Sequence, residues 1–369
     1  MVKKSNIPVI KEDTDDGIID LRDNKKQETK KMTKKVIGLD LGTMNIVAAI
    51  HDCETENTEM VTTRNMFLTV GNNEDADLTD IDHIKSEDNT FIIGEHAYRY
   101  SNIFGGSPRR CMEKGLISTS EIDSIDVLKL MISNMIGEGN KGDICVYSVP
   151  SNPIDSDLSV IYHERVFGRI ITQLGYKAIP LSQALAVIYS QCEEEKFSGI
   201  AIDYGSGMTN ICLAYRRNPA LSFSVTRGGD WIDQNAATSL GIKALGRVTA
   251  LKEKGTDLMD FNKGNRKEKR IREAIMYYYE NLINHSLTLI SNKFEDIAES
   301  VEIPEELPII VSGGTSLAKG FLDFFRNTFE EFEEFPIKVK EIRPSEDPLT
   351  AVAEGALIFA LSKINEEEK

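Results

Sequence analysis

The chain lacks paired cysteines: its five, Cys53, Cys111, Cys145, Cys192 and Cys212, are scattered through 369 residues with no CxxC spacing. Neither a disulfide framework nor a zinc site has ligands at the required intervals, so reduced, mostly buried thiols are expected. It also lacks an apolar run approaching the ~18 residues of a membrane span, and no apolar core of the signal-peptide kind follows Met1. The expected compartment is therefore the cytoplasm. Positive charge is in short supply, with 43 Lys and Arg against 59 Asp and Glu and a formal charge of −16. A broad nucleic-acid surface needs concentrated Lys and Arg to neutralise phosphates, and none is expected here.

What is present suffices for about two domains with substantial cores. Residues 1–34 stand apart. They mix Lys with Asp and Glu and show no helical or strand period, so they cannot bury enough surface to offset their ordering entropy. A disordered charged tail is expected there, with "KKQETKKMTKK" as a possible contact for an adaptor, anionic lipid or other membrane-associated partner.

From Val36 the texture changes. "VIGLDLG" is apolar, β-favouring and ended by glycine, and "TMNIVAAIHD" follows with the alternation of a second strand, which makes a β-hairpin. The same plan returns about 160 residues later in "GIAIDYGSGMTNICLAY", residues 199–215. Two copies of one unusual hairpin point to two related domains. "HERVFGRIITQLG", "LSQALAVIYSQCEEE" and "IREAIMYYYENLINHSLTLISNKF" carry apolar residues at three- and four-residue spacing and read as helices. "DICVYSVP" and "LPIIVSGG" read as buried strands stopped by Pro or Gly. Strands alternating with helices imply an α/β fold with helix-covered sheets.

The hairpin turns carry the chemistry. A phosphate chain needs convergent backbone N–H donors and close approach, which glycine permits. Leu41-Gly42-Thr43-Met44-Asn45 and Tyr204-Gly205-Ser206-Gly207-Met208-Thr209 meet this need, with hydroxyls on Thr43, Ser206 and Thr209 as further donors. Asp40 and Asp203 each precede a turn glycine by two residues. Carboxylates beside phosphates repel them unless a cation lies between, so the pair implies Mg²⁺, held through water. One such turn is weak evidence, since Asp and Gly also build ordinary turns; the paired occurrence is far more specific.

These segments resemble the actin-like ATPase superfamily. "IGLDLGTMN" and "AIDYGSGMTN" are similar to the two phosphate loops of actin, MreB and DnaK-type chaperones. "RGGDWIDQNA" at 227–236, with Gly229 and Asp230, resembles the step after the second loop in bacterial actins. "IIVSGGTSLAKGFLDFF" at 309–325, with Gly313, Gly314 and Thr315, resembles the adenosine motif, and "EDPLTAVAEGALIFA" at 346–360 the closing helix. Order and spacing match from about residue 35 onward. The resemblance implies a two-domain actin/DnaK-type fold around a cleft for ATP and Mg²⁺, with domain I at 35–182 plus 347–369 and domain II at 183–346.

Carried over residue by residue, the resemblance makes Gln183 the candidate for orienting an attacking water; a glutamine at a helix surface is the other reading. A glutamine cannot take the proton, so catalysis would rest on positioning and on charge stabilisation by Mg²⁺. Asn210 stands where an acid or histidine is usual, and Met44 and Met208 where a hydroxyl residue is common, which implies slow hydrolysis. "LGRVTALKEKG" resembles the helix whose Lys and Glu hold ribose and adenine, making Lys252 and Glu253 adenosine candidates; a solvated charge pair remains the alternative. After it only "TDLMDFNKGNRKEKR" precedes the next helix, so subdomain IIB is expected to be reduced.

A stand-alone chaperone would need a substrate domain after the ATPase, and an FtsA-like tether an amphipathic terminal helix, for which "SKINEEEK" is too acidic. The expected function is that of an ATP-hydrolysing, self-associating filament former of MreB- or MamK-like kind, with ParM-like segregation open. The alternative is a non-filamentous actin-fold ATPase or small-molecule kinase.

Overall fold

The computed structural model describes residues 34–70, 78, 80–85, 89–104, 106–260, 262–298, 303, 305–333 and 335–367. The charged leader expected to be disordered lies, apart from residue 34, outside the described residues.

The first hairpin forms as its alternation requires: β1 (Lys35–Leu41) pairs antiparallel with β2 (Asn45–Asp52), Leu41 opposite Ile46. Strand β3 (Asn57–Arg64) continues the meander. A small sheet follows, β4 (Phe67–Val70), β5 (His83–Lys85) and β6 (Thr90–Ile93) in the order β4-β6-β5, flanked by α1 (Gly94–Phe104). The two-stranded ribbon of β7 (Met112–Glu113) and β8 (Leu116–Ile117) leads to α2 (Ser124–Ile136). Then β9 (Ile144–Val149), α3 (Ile161–Gln173) and β10 (Lys177–Ser182) complete a five-stranded sheet, β10-β9-β1-β2-β3. The small sheet and the ribbon carry no signal in the sequence that separates them from ordinary loops.

The second half opens with α4 (Gln183–Gln191) and repeats the plan. Strands β11 (Gly199–Tyr204), β12 (Thr209–Tyr215) and β13 (Asn218–Val225) form an antiparallel meander. Helices α5 (Gly229–Ser239), α6 (Leu245–Glu253) and α7 (Arg266–Glu295) come next. Then β14 (Leu307–Ser312), α8 (Phe321–Glu330) and β15 (Val339–Pro344) complete the sheet β13-β12-β11-β14-β15, and α9 (Ala351–Glu367) follows. The two large sheets share one topology. In each, a hairpin and its third strand are antiparallel, while two later strands add in parallel beside the hairpin's first strand. The repeated hairpin in the sequence is the visible part of this duplication.

Helix α7 begins five residues before its first buried residue, Ile271, because Asn265 caps it. The Asn265 side chain accepts from the amides of Lys267 and Glu268, and Glu268 reaches back to the Asn265 amide, so orphan donors of the first turn are satisfied reciprocally. From there Ile271, Ile275, Tyr279, Leu282 and Ile283 run down one buried face onto the second sheet.

A core common to both sheets explains how the halves are held. Val36 and Val146 from the first sheet, Ala201 and Ile310 from the second, and small residues of α4 and α9 form one buried cluster. Alanines predominate on α4 and α9 there, which lets their backbones approach closely. Gly355 of α9 lies so near the Ala186 carbonyl of α4 that a Cβ would overlap it. The described residues from 34 to 367 accordingly form one compact unit.

Candidate nucleotide cleft

The two hairpin turns face each other across a cavity of about 430 Å3. Asp40 ends the buried run of β1 and Asp203 that of β11, so strand geometry brings to one place two carboxylates far apart in sequence. The loops touch: a Cβ on Gly207 would lie 2.6 Å from Thr43 Oγ1 and would also overlap the Gly115 amide between β7 and β8. Asn65, fully buried, braces the first loop by donating its side-chain amide to the Gly42 carbonyl (3.0 Å) and its backbone amide to Met44 (2.8 Å). Asn65, Arg64 and Gly115 escape sequence reasoning because only the folded chain brings them to the loops.

Of the residues of the two turns and the other candidate site residues, all line this cavity except Tyr204, which is buried in the core of the second half, and Thr209. Thr209 is fully buried and gives its hydroxyl to the Arg227 carbonyl (2.8 Å). Strand parity is the reason. Met208 and Asn210 face the cavity, so the residue between them points to the opposite side. The expected phosphate donor is thus replaced on the cavity side by Asn210.

A linked network occupies the carboxylate end. Ser148 donates to Asp40 Oδ1 at 2.8 Å, and Gln183, first residue of α4, approaches the same oxygen with Nε2 at 3.3 Å. Asn210 donates to Gln183 Oε1 at 2.7 Å and accepts from the Ser151 amide at 3.2 Å. Gln183 is therefore a cleft residue and not a surface one. Burial pushes the Asp40 carboxyl up to about 6, against the hydrogen bonds from Ser148 and Gln183. Asp203 is pushed to about 7 by burial and then by the charge of Asp40. Both carboxylates are costly as anions in this setting, which a cation between them would reverse. Among the described residues no three His, Cys, Asp or Glu side chains are grouped to hold a metal. A cation here would have Asp40 and Asp203 as its protein carboxylates, the rest of its shell coming from water and phosphate.

The Ser206 hydroxyl, buried in the second loop, has no hydrogen-bond partner. An orphaned hydroxyl beside two glycines that leave no room for a Cβ fits a phosphate oxygen. The first amides of α5 are not free for this purpose, since Gly229 and Asp230 donate to the carbonyls of Gly205 and Ser206 (3.0 and 2.9 Å).

The other end is built from α5, α6 and the turn after β14. Lys252 pairs with Asp233 at 2.9 Å and donates to the Gly229 carbonyl at 2.6 Å, with both side chains nearly buried. Its ammonium braces the start of α5, which excludes a solvated charge pair; Glu253 is exposed at the cavity edge. Thr249 adds a hydrogen bond to Asp233 (2.8 Å). Asp233 is the second acid of the "RGGDWIDQNA" segment at 227–236, a signal legible in the sequence. Asp230 is taken up by Arg110 at 2.7 Å, an ion pair from the segment before β7 to the start of α5. Gly313, at φ +85°, has no room for a Cβ beside the Tyr204 carbonyl, and Thr315 donates to the Gly205 carbonyl at 2.9 Å. Leu317 and Leu349 supply half-exposed apolar walls suited to a planar base.

Two helix-covered sheets of one topology around a cleft with paired Asp-x-Gly turns define the actin-like fold. The chain belongs to the Volactin family, whose sequence model matches residues 35–360. No curated protein matches it in sequence. Solved structures place it beside MreB5 of Spiroplasma citri bound to ADP, with 17% identity, 91% of this chain and 99% of that chain covered, and a TM-score of 0.62. A MamK double helical filament is similar at 16% identity, 89% and 99% coverage and a TM-score of 0.60. The ethanolamine utilization protein EutJ of Carboxydothermus hydrogenoformans follows at 16% identity, 90% and 93% coverage and a TM-score of 0.51. At these identities the likeness establishes the fold.

Proposed function

We propose that the chain binds ATP with Mg²⁺ in the cleft, hydrolyses it slowly and assembles into cytoskeletal filaments. The observation that carries the nucleotide reading is the unpartnered Ser206 hydroxyl set between two loops whose preceding carboxylates are destabilised as anions. Similar proteins were solved with ADP or AMPPNP, and MamK as a double helical filament, which supports both parts.

In this reading the loop residues 42–45 and 205–208 hold the phosphates, and Asp40 and Asp203 hold the cation's water shell. Lys252, Glu253 and 313–315 frame the nucleoside. Bound Mg²⁺ would supply neutralisation of the charge developing on the phosphates. Gln183 orients the attacking water through the second lone pair of Oε1, Asn210 having taken the first. Among the described residues that line the cavity there is no histidine, and the carboxylates other than Asp40 and Asp203 belong to α5 and α6, so turnover is slow.

The domain boundaries belong to the same proposal: 35–182 with 347–369 against 183–346. Only twelve residues, 254–265, join α6 to α7, which supports a reduced subdomain IIB. No helix among the described residues is long and apolar enough to cross a membrane. Cytoplasmic filaments, with the leader as a contact for an adaptor or membrane-associated partner, complete the proposal. High-speed sedimentation with Mg-ATP and with Mg-ADP tests it, alongside phosphate release. Sedimentation that Mg-ATP promotes is expected. A monomer that turns over ATP only with an added acceptor would favour a small-molecule kinase instead.

A further inference from the structure

We propose that Ser148 is a positioning residue for the cation: its hydroxyl ties down Asp40 Oδ1 and so presents Asp40 Oδ2 to the first phosphate turn. The inference rests on the reading of the cleft as an Mg-nucleotide site. All six side chains of β9 are buried, and Ser148 is fully so. Strand β1 pairs with β9 from Val36 opposite Ile144 to Leu39 opposite Tyr147 and no further. The Leu41 amide lies beyond that last pair and donates to Ser148 Oγ at 2.9 Å, the hydroxyl standing in for a ladder carbonyl. The same hydroxyl donates to Asp40 Oδ1 at 2.8 Å. Gln183 Nε2 approaches both, Asp40 Oδ1 at 3.3 Å and Ser148 Oγ at 3.5 Å. A hydroxyl has one proton and two lone pairs, so these contacts use it in full.

Asp40 and Gln183 line the cavity, whereas Ser148 does not, so it acts through them. Ser148 and Gln183 both engage Oδ1, which leaves Oδ2 for the ligand side. A Cβ on Gly42 would stand 3.8 Å from Asp40 Oδ2, which places that oxygen beside the turn. A cation held through water depends on acceptor oxygens with fixed directions, and a carboxylate pinned at one oxygen offers the other in a single orientation. Without the hydroxyl, Oδ1 keeps only the longer contact to Gln183, and the carboxylate is free to turn about its Cβ–Cγ bond. Gln183 is disturbed less, because Asn210 still holds its Oε1 at 2.7 Å. The result is a split in which cation affinity falls while the chemical step changes little.

Three variants of the full chain test it: Ser148→Ala, Ser148→Cys and Ser148→Thr. A fluorescent ATP analogue is titrated in EDTA and in Mg²⁺, and phosphate release is followed against Mg²⁺ concentration. Ser148→Ala and Ser148→Cys, the latter keeping the volume but offering only a weak donor and acceptor, are expected to weaken binding in Mg²⁺ about tenfold. Affinity in EDTA should stay at the wild-type value. The Mg²⁺ concentration for half-maximal release should rise about tenfold, with release at saturating Mg²⁺ within about threefold of wild type. Ser148→Thr keeps the hydroxyl and should restore the Mg²⁺ effect. Ser286, fully buried and donating to the Leu282 carbonyl at 2.9 Å within α7, supplies the control. Ser286→Ala is expected to leave the ratio of the two affinities unchanged. A wild-type ratio in Ser148→Ala and Ser148→Cys overturns the proposal, as does a folded Ser148→Thr no better than Ser148→Ala. Equal losses of affinity in EDTA and in Mg²⁺ mark a purely structural role and overturn it too. A wild-type chain that binds the analogue equally with and without Mg²⁺ refutes the Mg-nucleotide reading itself, and the role of Ser148 with it.

Discussion

Asn210 donates to Gln183 Oε1 across 2.7 Å and thereby decides which end of the Gln183 amide faces Asp40. With its oxygen held by Asn210, Gln183 turns Nε2 toward Asp40 Oδ1 and keeps one lone pair for a water. Gln183→Ala is expected to slow phosphate release by ~10²-fold, a barrier change of roughly 2.7 kcal/mol, while nucleotide affinity holds. Asn210→Ala leaves Gln183 in place but unlatched, and a smaller loss of about tenfold is expected. Single-turnover phosphate release and equilibrium nucleotide binding in the same samples check both. Unchanged release in Gln183→Ala removes it from the water-orienting role.

The raised carboxyls have a consequence for stability. Asp40 and Asp203 move from an ordinary value of 3.8 to about 6 and about 7, so the folded chain binds their protons more tightly than the unfolded chain does. Their stabilising contribution is full below pH 4 and is lost as pH rises through 6 and 7. The Mg²⁺-free protein is expected to show a melting temperature that declines over that window. Asp203→Asn, which cannot ionise, should flatten the decline. Saturating Mg-nucleotide should flatten it in the wild-type chain, since a cation favours the ionised pair. Thermal melts from pH 4.5 to 8 decide the matter, and an equal slope in Asp203→Asn would refute the assignment.

The sequence reveals the hairpins because a turn glycine after an Asp, between two alternating strands, leaves few other conformations. It equally reveals the long helices, whose period is unbroken. Thr209 departs from its expected role by strand parity: positions 208 and 210 share one strand face, and the hydroxyl at 209 takes the other. Asn65, Arg110 and Gly115 are different, since their roles depend on loops that meet only in the folded chain. The same holds for the burial of Lys252, although its partner Asp233 stands in plain sight within "RGGDWIDQNA".

Contact between α4 and α9 offers a test of the shared core. A Cβ at Gly355 would overlap the Ala186 carbonyl, and backbone on both sides leaves nothing to give way. Gly355→Val is expected to cost about 3 kcal/mol or more. Gly246, within α6, has nothing within 4 Å of an added Cβ, so Gly246→Ala should instead stabilise by about 0.5–1 kcal/mol. Chemical denaturation of both variants provides the comparison. A neutral Gly355→Val would mean that the two helices can separate without loss.

The Lys252–Asp233 pair joins stability to the cleft. Their side chains are 11% and 3% exposed, and Asp233 Oδ1 is buried without a partner. Burial lifts the Asp233 carboxyl foremost, and Lys252 pulls it back down. Lys252→Met therefore leaves a buried carboxylate supported by Thr249 alone, at an expected cost of roughly 3–5 kcal/mol at neutral pH. Without the ammonium the Asp233 carboxyl rises further, so it protonates readily on acidification. The deficit of Lys252→Met should accordingly be smaller at pH 5 than at pH 8, because stability held by the protonated form is lost as pH rises. Lys252→Met combined with Asp233→Leu removes both charges, and most of the stability should return. Nucleotide binding should not return with it, since the ammonium contact to the Gly229 carbonyl stays lost and the start of α5 is no longer braced. Denaturation at the two pH values and nucleotide titration of single and double variants measure these separately. Full recovery of nucleotide affinity in the double variant would show that Lys252 serves the fold and not the cleft.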